Sequence, residues 1–224
     1  LPSIVSHSVV GLAGGTIFPV KNLPKRFWVL SIICPVLPDA DSIGFSFGIP
    51  YGHFFGHRGF FHSLFFAFIL AVFVVCLFFR EHKVFSKRWF LFIFYFFLLT
   101  ATHGILDAFT NGGLGIALLS PFDTTRYFFP WQPIQVSPIG IAAFFSPWGL
   151  RVIMSEIVWV WLPSISLAIL VKLFRSKKKP TEYTENTEKN TETIKTKTSV
   201  PLCFVAELLR RVALVLRSGG HSAE

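Results

Sequence analysis

Apolar and polar positions alternate along this chain in long blocks, not at the short period of strands or of amphipathic surface helices. Apolar runs over residues 60–79 and 89–106 reach the ~20 residues that a membrane-spanning helix needs. Residues 152–171 reach that length too, although Glu156 lies inside the run and Pro163 predicts a kink in it. Two shorter runs, 8–20 and 27–37, flank a basic turn at 21–26 and predict a helical hairpin. At ~1.5 Å per residue each covers roughly 17–20 Å against a hydrocarbon core of ~30 Å. They enter the bilayer from one face without clearing the other, or are completed by flanking residues buried in protein. The pattern therefore predicts an all-α, polytopic transmembrane bundle of about five apolar helices.

Composition strengthens this reading. Hydrophobic residues make up 52% of the chain, 28 residues are Phe, and the mean hydropathy is +0.58, more apolar than a soluble core requires. The net charge of +9 comes from blocks of Lys and Arg. Lys21, Lys25 and Arg26 form the first block, Arg80, Lys83, Lys87 and Arg88 the second, and Lys172, Arg175 and Lys177 to Lys179 the third. If all five segments cross, these blocks share one side, which the positive-inside rule makes cytoplasmic. The amino terminus then lies outside and the carboxyl terminus inside. Trp28, Trp89 and Trp148 stand where interfacial aromatics belong. Blocks so placed report membrane orientation, and no nucleic-acid partner is expected. Cys34, Cys76 and Cys203 form no C-x-x-C pair and predict neither a disulfide framework nor a thiolate metal site. Residues 8–20, with no basic stretch before them and no A-x-A site, read as mature sequence.

Three parts follow along the chain. Residues 1–175 form the membrane-embedded domain. Residues 176–199 turn to Lys, Thr, Glu and Asn, too polar to bury a core, and are expected to be a disordered linker. Residues 200–224 carry Val205, Leu208, Leu209, Val212 and Leu216 on one helical stripe with Arg210, Arg211 and Arg217 mostly off it, which reads as a basic amphipathic helix on the inner membrane surface or, equally, as a partly disordered tail.

Nearly all ionisable residues outside the basic turns gather in five motifs: His7; Asp39 and Asp41 after Pro38; His57-Arg58-Gly59 with His62-Ser63; His103 with Asp107; and the polar loop 110–126. In the topology above each maps to the non-cytoplasmic end of a segment. His103 lies fourteen positions after Trp89, or ~21 Å along the helix, and so sits inside the bilayer near its outer boundary. Asp107 follows one turn later on the same face. An Asp at membrane depth costs ~2.5–3.5 kcal/mol by insertion scales unless it has a partner or a cation. Imidazole with carboxylate suits Zn²⁺ and is compatible with Mn²⁺ or Fe²⁺, and such an ion acidifies a bound water and polarises a phosphoryl or carbonyl oxygen. The expected ligands are His7, His62, His103, Asp107 and Asp39 or Asp41. His57 is a general acid or an outer-sphere group. Arg58 and Arg126 are candidates for holding an anionic substrate, and Arg58 could equally pair with Asp39 or Asp41. The glycines of 110–113 shape a pocket wall or merely turn the chain.

Together His7-Ser8, Pro38-Asp39-Ala40-Asp41, His57-Arg58-Gly59 with His62-Ser63, His103 with Leu106-Asp107, and then Thr110, Gly113 and Ser120-Pro121-Phe122 resemble the bacterial LexA-linked, inner-membrane-associated metal-dependent hydrolases. The likeness runs from His7 to about Gly140. It implies a helical polytopic protein of the bacterial cytoplasmic membrane with hydrolase activity. The order His, Asp, His, His-x-x-x-Asp is also similar to the ligand order of zinc-dependent phospholipase C and P1-type nuclease, which would make ligands of His7, Asp39 or Asp41, His62, His103 and Asp107. Those enzymes carry further His and a later His-x-x-x-Glu, whereas no His lies between 103 and 221 here, so one or two ions are expected and not a three-zinc cluster.

The sequence thus predicts a divalent-metal hydrolase acting on a phosphoester in a lipid or lipid-linked substrate at the outer membrane face. A metal- or proton-coupled transporter using the same His and Asp is the alternative, although residues 65–79 and 89–99 offer almost no polar path through the bilayer. A non-catalytic protein recruiting partners through its basic tail is a third reading.

Overall fold

The computed structural model describes residues 2–138 and 141–177, and those through Lys172 belong to one compact unit. The expected linker beyond Lys177, the amphipathic helix at 201–217, Cys203, His221 and Gly140 lie outside the described residues.

The helices are α1 (Ile4–Ile17), α2 (Lys25–Ile33), α3 (Leu64–Phe78), α4 (Lys87–Ala108), α5 (Ile141–Phe144), α6 (Pro147–Glu156) and α7 (Leu162–Lys177). Short-pitched 3₁₀ segments occupy Leu37–Phe47 and Phe60–His62. Among the described residues no strand forms; two isolated bridges, Thr110 with Ile134 and Ile116 with Tyr127, tie the loop after α4 to itself. The fold is all-helical, as the apolar blocks predict.

Serines start three of the helices. The Ser3 hydroxyl accepts from the Ser6 N–H, Ser63 from Phe66 and Ser86 from Trp89, each satisfying a donor that the first turn leaves unpaired. Ser63 therefore caps the helix that follows His62.

Two helices are long and apolar enough to cross a membrane, α4 with 22 residues and the continuous run Pro147–Ser176 with 30. A third span results if α2 and the 3₁₀ segment after it, bent by 48° at their junction, are taken together. Helices α1 and α3 are apolar but shorter, at 14 and 15 residues. The apolar block at 60–79 becomes helix only from Leu64, because its first residues form the tight turn that delivers His62. In the long run, the irregularity expected at Pro163 falls one turn earlier. Residues Ile157–Trp161 are π-helical and Leu162 N–H bonds back to Ile157, a wider turn that accommodates a ring with no donor of its own.

The core is aromatic. Phe27, Phe79, Phe92 and Phe96 are fully buried between α2, α3 and α4, with Phe18, Trp89 and Tyr95 around them. In lipid, apolar burial alone gives helices little reason to associate, so close packing must do so. Gly11 illustrates this: a Cβ there would stand 2.0 Å from the Ser31 carbonyl oxygen, so α1 and α2 meet backbone to backbone. Ser31 and Tyr95 hydroxyls share a hydrogen bond of 2.7 Å within the same core.

The first two basic blocks lie at one end. Arg26, in the first turn of α2, pairs with Glu81, from the turn between α3 and α4, and its guanidinium lies 5.4 Å from the Phe79 ring centre. The chemistry-bearing residues occupy the opposite ends of these helices.

Candidate metal centre

Five stretches of chain deliver the site. Helix α1 supplies His7, the Leu37–Phe47 segment Asp39 and Asp41, the turn before Phe60 His57 and Arg58, the Phe60–His62 segment His62, and α4 both His103 and Asp107. A 3₁₀ helix has three residues per turn, so Asp39 and Asp41 leave it in directions about 120° apart. One reaches His103 and the other His57. Gly104 follows His103 because a Cβ there would come within 2.5 Å of the His62 carbonyl oxygen. Arg58 adopts φ +64°, a left-handed conformation that costs a non-glycine residue about 1–3 kcal/mol and reverses the chain between His57 and His62.

At the centre, His62 Nε2 lies 3.5 Å from Asp39 Oδ1 and 3.3 Å from Asp107 Oδ2, and His103 Nε2 lies 3.2 Å from Asp39 Oδ1 and 3.4 Å from Asp107 Oδ2. His62, His103 and Asp107 are buried and Asp39 nearly so. Charge-assisted N–H···O bonds are shorter, about 2.7–2.9 Å, and these nitrogen and oxygen atoms make no hydrogen bonds at all. Ligand atoms held ~2.0–2.2 Å from one ion in a tetrahedron stand about 3.3–3.6 Å apart. The four contacts, at 3.2–3.5 Å, are close to the edge lengths of such a polyhedron. These four residues could hold one divalent cation.

Hydrogen bonds behind the four atoms fix how they point. His103 Nδ1 donates to the Pro35 carbonyl at 2.7 Å, which leaves Nε2 as the free lone pair. His57 Nδ1 donates to Asp41 Oδ1 at 2.6 Å, and Asp41 Oδ2 stands 3.1 Å from His62 Nδ1. The 2.6 Å contact is too short for two ligands of one ion. His7 stacks on His103 with ring centres 3.9 Å apart, and its Nε2 lies 3.9 Å from Asp107 Oδ1. Both nitrogens of His7 and Nε2 of His57 are buried without a hydrogen-bond partner.

The two arginines turn to the loop. Arg58 is fully buried and donates to the Gly112 carbonyl and to Thr110 Oγ1, while its Nε is unpartnered. It pairs with neither Asp39 nor Asp41. Arg126 donates to the backbone carbonyls of His57, Tyr51 and His53, pinning the segment that carries His57. Gly113, at φ +92°, lies against the Arg58 guanidinium and the Tyr51 hydroxyl with no room for a side chain, so the 110–113 turn is a wall beside Arg58.

Three contributors were not legible from the motifs: the Pro35 carbonyl, Tyr51 and Glu156. Tyr51 stands edge-on to His57 with ring centres 5.3 Å apart, and burial pushes its hydroxyl above the usual tyrosine range, so it stays a donor at neutral pH. Glu156 is buried at the end of α6 and accepts hydrogen bonds from Ser3 and Ser6 at the start of α1. A lone acid inside an apolar run was the one available signal for it.

Residues 3–179 match the family model described as YdjM inner membrane protein. Inner membrane protein YbcI of Escherichia coli (strain K12) is 40% identical over 172 residues, which cover 75% of this chain and 95% of that relative. No solved structure matches the chain. Neither description names an activity; both name the inner membrane, in agreement with the long apolar helices. This is an inner-membrane protein, and the chain belongs to the YdjM inner membrane protein family.

Proposed function

We propose that the protein is a membrane-bound, metal-dependent hydrolase that acts on a phosphoester, of a lipid or lipid-linked substrate, at the extracytoplasmic membrane face. One observation carries the reading: four buried ligand atoms without hydrogen bonds, from Asp39, His62, His103 and Asp107, lie within 4.8 Å of one another, with each imidazole Nε2 3.2–3.5 Å from an oxygen of both carboxylates. The His₂Asp₂ donor set favours zinc and accommodates Mn²⁺ or Fe²⁺. His7, with both nitrogens unpartnered, is the further ligand. A divalent ion held there supplies Lewis acidity to a phosphoryl oxygen and acidifies water.

The chain's own residues do the rest. Asp41 holds His57 in the tautomer with a proton on Nδ1, so Nε2 is free to take a proton from water and to return it to the leaving oxygen. The same carboxylate steadies His62 from behind. Asp41 is thus an orienting group and Asp39 a ligand. Arg58, a buried cation with no carboxylate partner among the described residues, favours an anionic substrate beside the cluster. Arg126, spent on carbonyls, holds the His57 segment and does not bind substrate directly. The core between the site and the basic turns is aromatic and aliphatic, which disfavours a transport path.

The pairing of Arg26 with Glu81 supports a common side for the first two basic turns, and the positive-inside rule makes that side cytoplasmic. In this multi-pass orientation the carboxyl terminus is cytoplasmic.

Purified wild type should hold about one zinc ion or its equivalent per chain by elemental analysis. Asp39→Ala and the His103→Ala, Asp107→Ala double variant should lose it, whereas Asp41→Ala should weaken binding by about 10–100-fold and retain metal at saturation. Equal loss in Asp39→Ala and Asp41→Ala would make both acids ligands. With Zn²⁺ or Mn²⁺ present, solubilised wild type should cleave a phosphodiester or phospholipid and His103→Ala should not; no cleavage above that control removes the hydrolase reading. A reporter fused after Arg88 should be cytoplasmic, and a periplasmic signal would invert the placement of the site.

A further inference from the structure

A carboxylate in the middle of a membrane-spanning run needs a reason to be there. Glu156 ends α6, is fully buried, and directs both oxygens at the first turn of α1. Oε1 accepts from the Ser3 backbone N–H, and Oε2 accepts from the hydroxyls of Ser3 at 2.5 Å and Ser6 at 2.7 Å. Ser6 Oγ in turn accepts from Trp161 Nε1 at 2.7 Å, so the π-helical turn after α6 grips the same point. Three donors on one carboxylate compensate for its removal from water, and losing any of them leaves buried charge unsatisfied.

The residue after Ser6 is His7. Its ring makes no hydrogen bond; it is stacked on His103 and stands 3.9 Å from Asp107 through Nε2. His103, by contrast, is oriented by the Pro35 carbonyl and His62 faces Asp41. His7 has no such support, so its place is set by where α1 begins. We infer that Glu156 is a positioning residue for the metal centre: by clamping Ser3 and Ser6 it fixes the first turn of α1 and holds His7 against His103 and Asp107 as a ligand. The inference rests on the metal-centre reading above and adds to it a carboxylate that makes its hydrogen bonds at the helix start and acts through one histidine.

The test is a double-variant cycle read by metal affinity. Zn²⁺ affinity of the full-length, solubilised protein is measured by chelator competition for wild type, Glu156→Gln, His7→Ala and the two combined. Co²⁺ substitution gives a visible spectrum that reports coordination number. Glu156→Gln should weaken Zn²⁺ binding about 10-fold or more. It should also shift the Co²⁺ spectrum in the same direction as His7→Ala. The combined variant should bind no more weakly than His7→Ala alone, because the clamp has nothing left to position. Ser6→Ala, which removes one donor and keeps the acid, should move affinity the same way and serves if Glu156→Gln does not fold. Wild-type affinity in both Glu156→Gln and Ser6→Ala would overturn the inference, as would losses that multiply in the combined variant. Wild type that binds no ion at all would overturn the metal centre itself along with the clamp.

Discussion

Two imidazoles and two carboxylates converge in a site where three of the four side chains are fully buried and Asp39 keeps a small exposed edge. Their nitrogens and oxygens approach to 3.2–3.5 Å without making hydrogen bonds to one another. Unpaired buried carboxylates at this depth would each cost several kcal/mol, and a divalent cation removes that penalty for all four groups at once. The surrounding elements are understandable as the means of bringing these atoms together: a helix break after α2, a 3₁₀ segment that sends two acids in different directions, a left-handed Arg58, and a glycine after His103 that admits the His62 backbone.

Around this centre the remaining polar residues divide into those that point inward and those that hold the shell. Arg58 and Arg126 had the same prospect as anion binders on charge alone. Their partners distinguish them: Arg126 is committed to three carbonyls of the 51–57 segment, whereas Arg58 is buried with a free Nε and no acid partner among the described residues. The aromatic core below seals the site from the basic end of the bundle.

Much of this was legible in the chain. The i, i+4 spacing of His103 and Asp107 needs only helical periodicity, and the alternation of basic turns with His and Asp motifs separates two ends of a bundle without any contact map. Asp39 and Asp41 could not be told apart, because their roles depend on a three-residue turn that apolar periodicity does not reveal. The start of α3 was misplaced by four residues for a related reason: Phe60 and Phe61 are as apolar as the helix, and only the hydrogen-bond pattern separates them. Arg58's partners are a backbone carbonyl and a threonine some fifty residues on, and Glu156's lie about 150 residues back, distances at which spacing carries no information.

The central claim is that Asp39, His62, His103 and Asp107 surround a single cation. X-ray absorption at the zinc edge, on protein purified without added metal and then loaded with one equivalent of Zn²⁺, tests it most directly. The account predicts a first shell of four or five nitrogen and oxygen atoms at ~2.0–2.2 Å, outer-shell scattering from at least two imidazoles, and no sulfur. A sulfur shell at ~2.3 Å, or a shell of water oxygens without imidazole scattering, would contradict it.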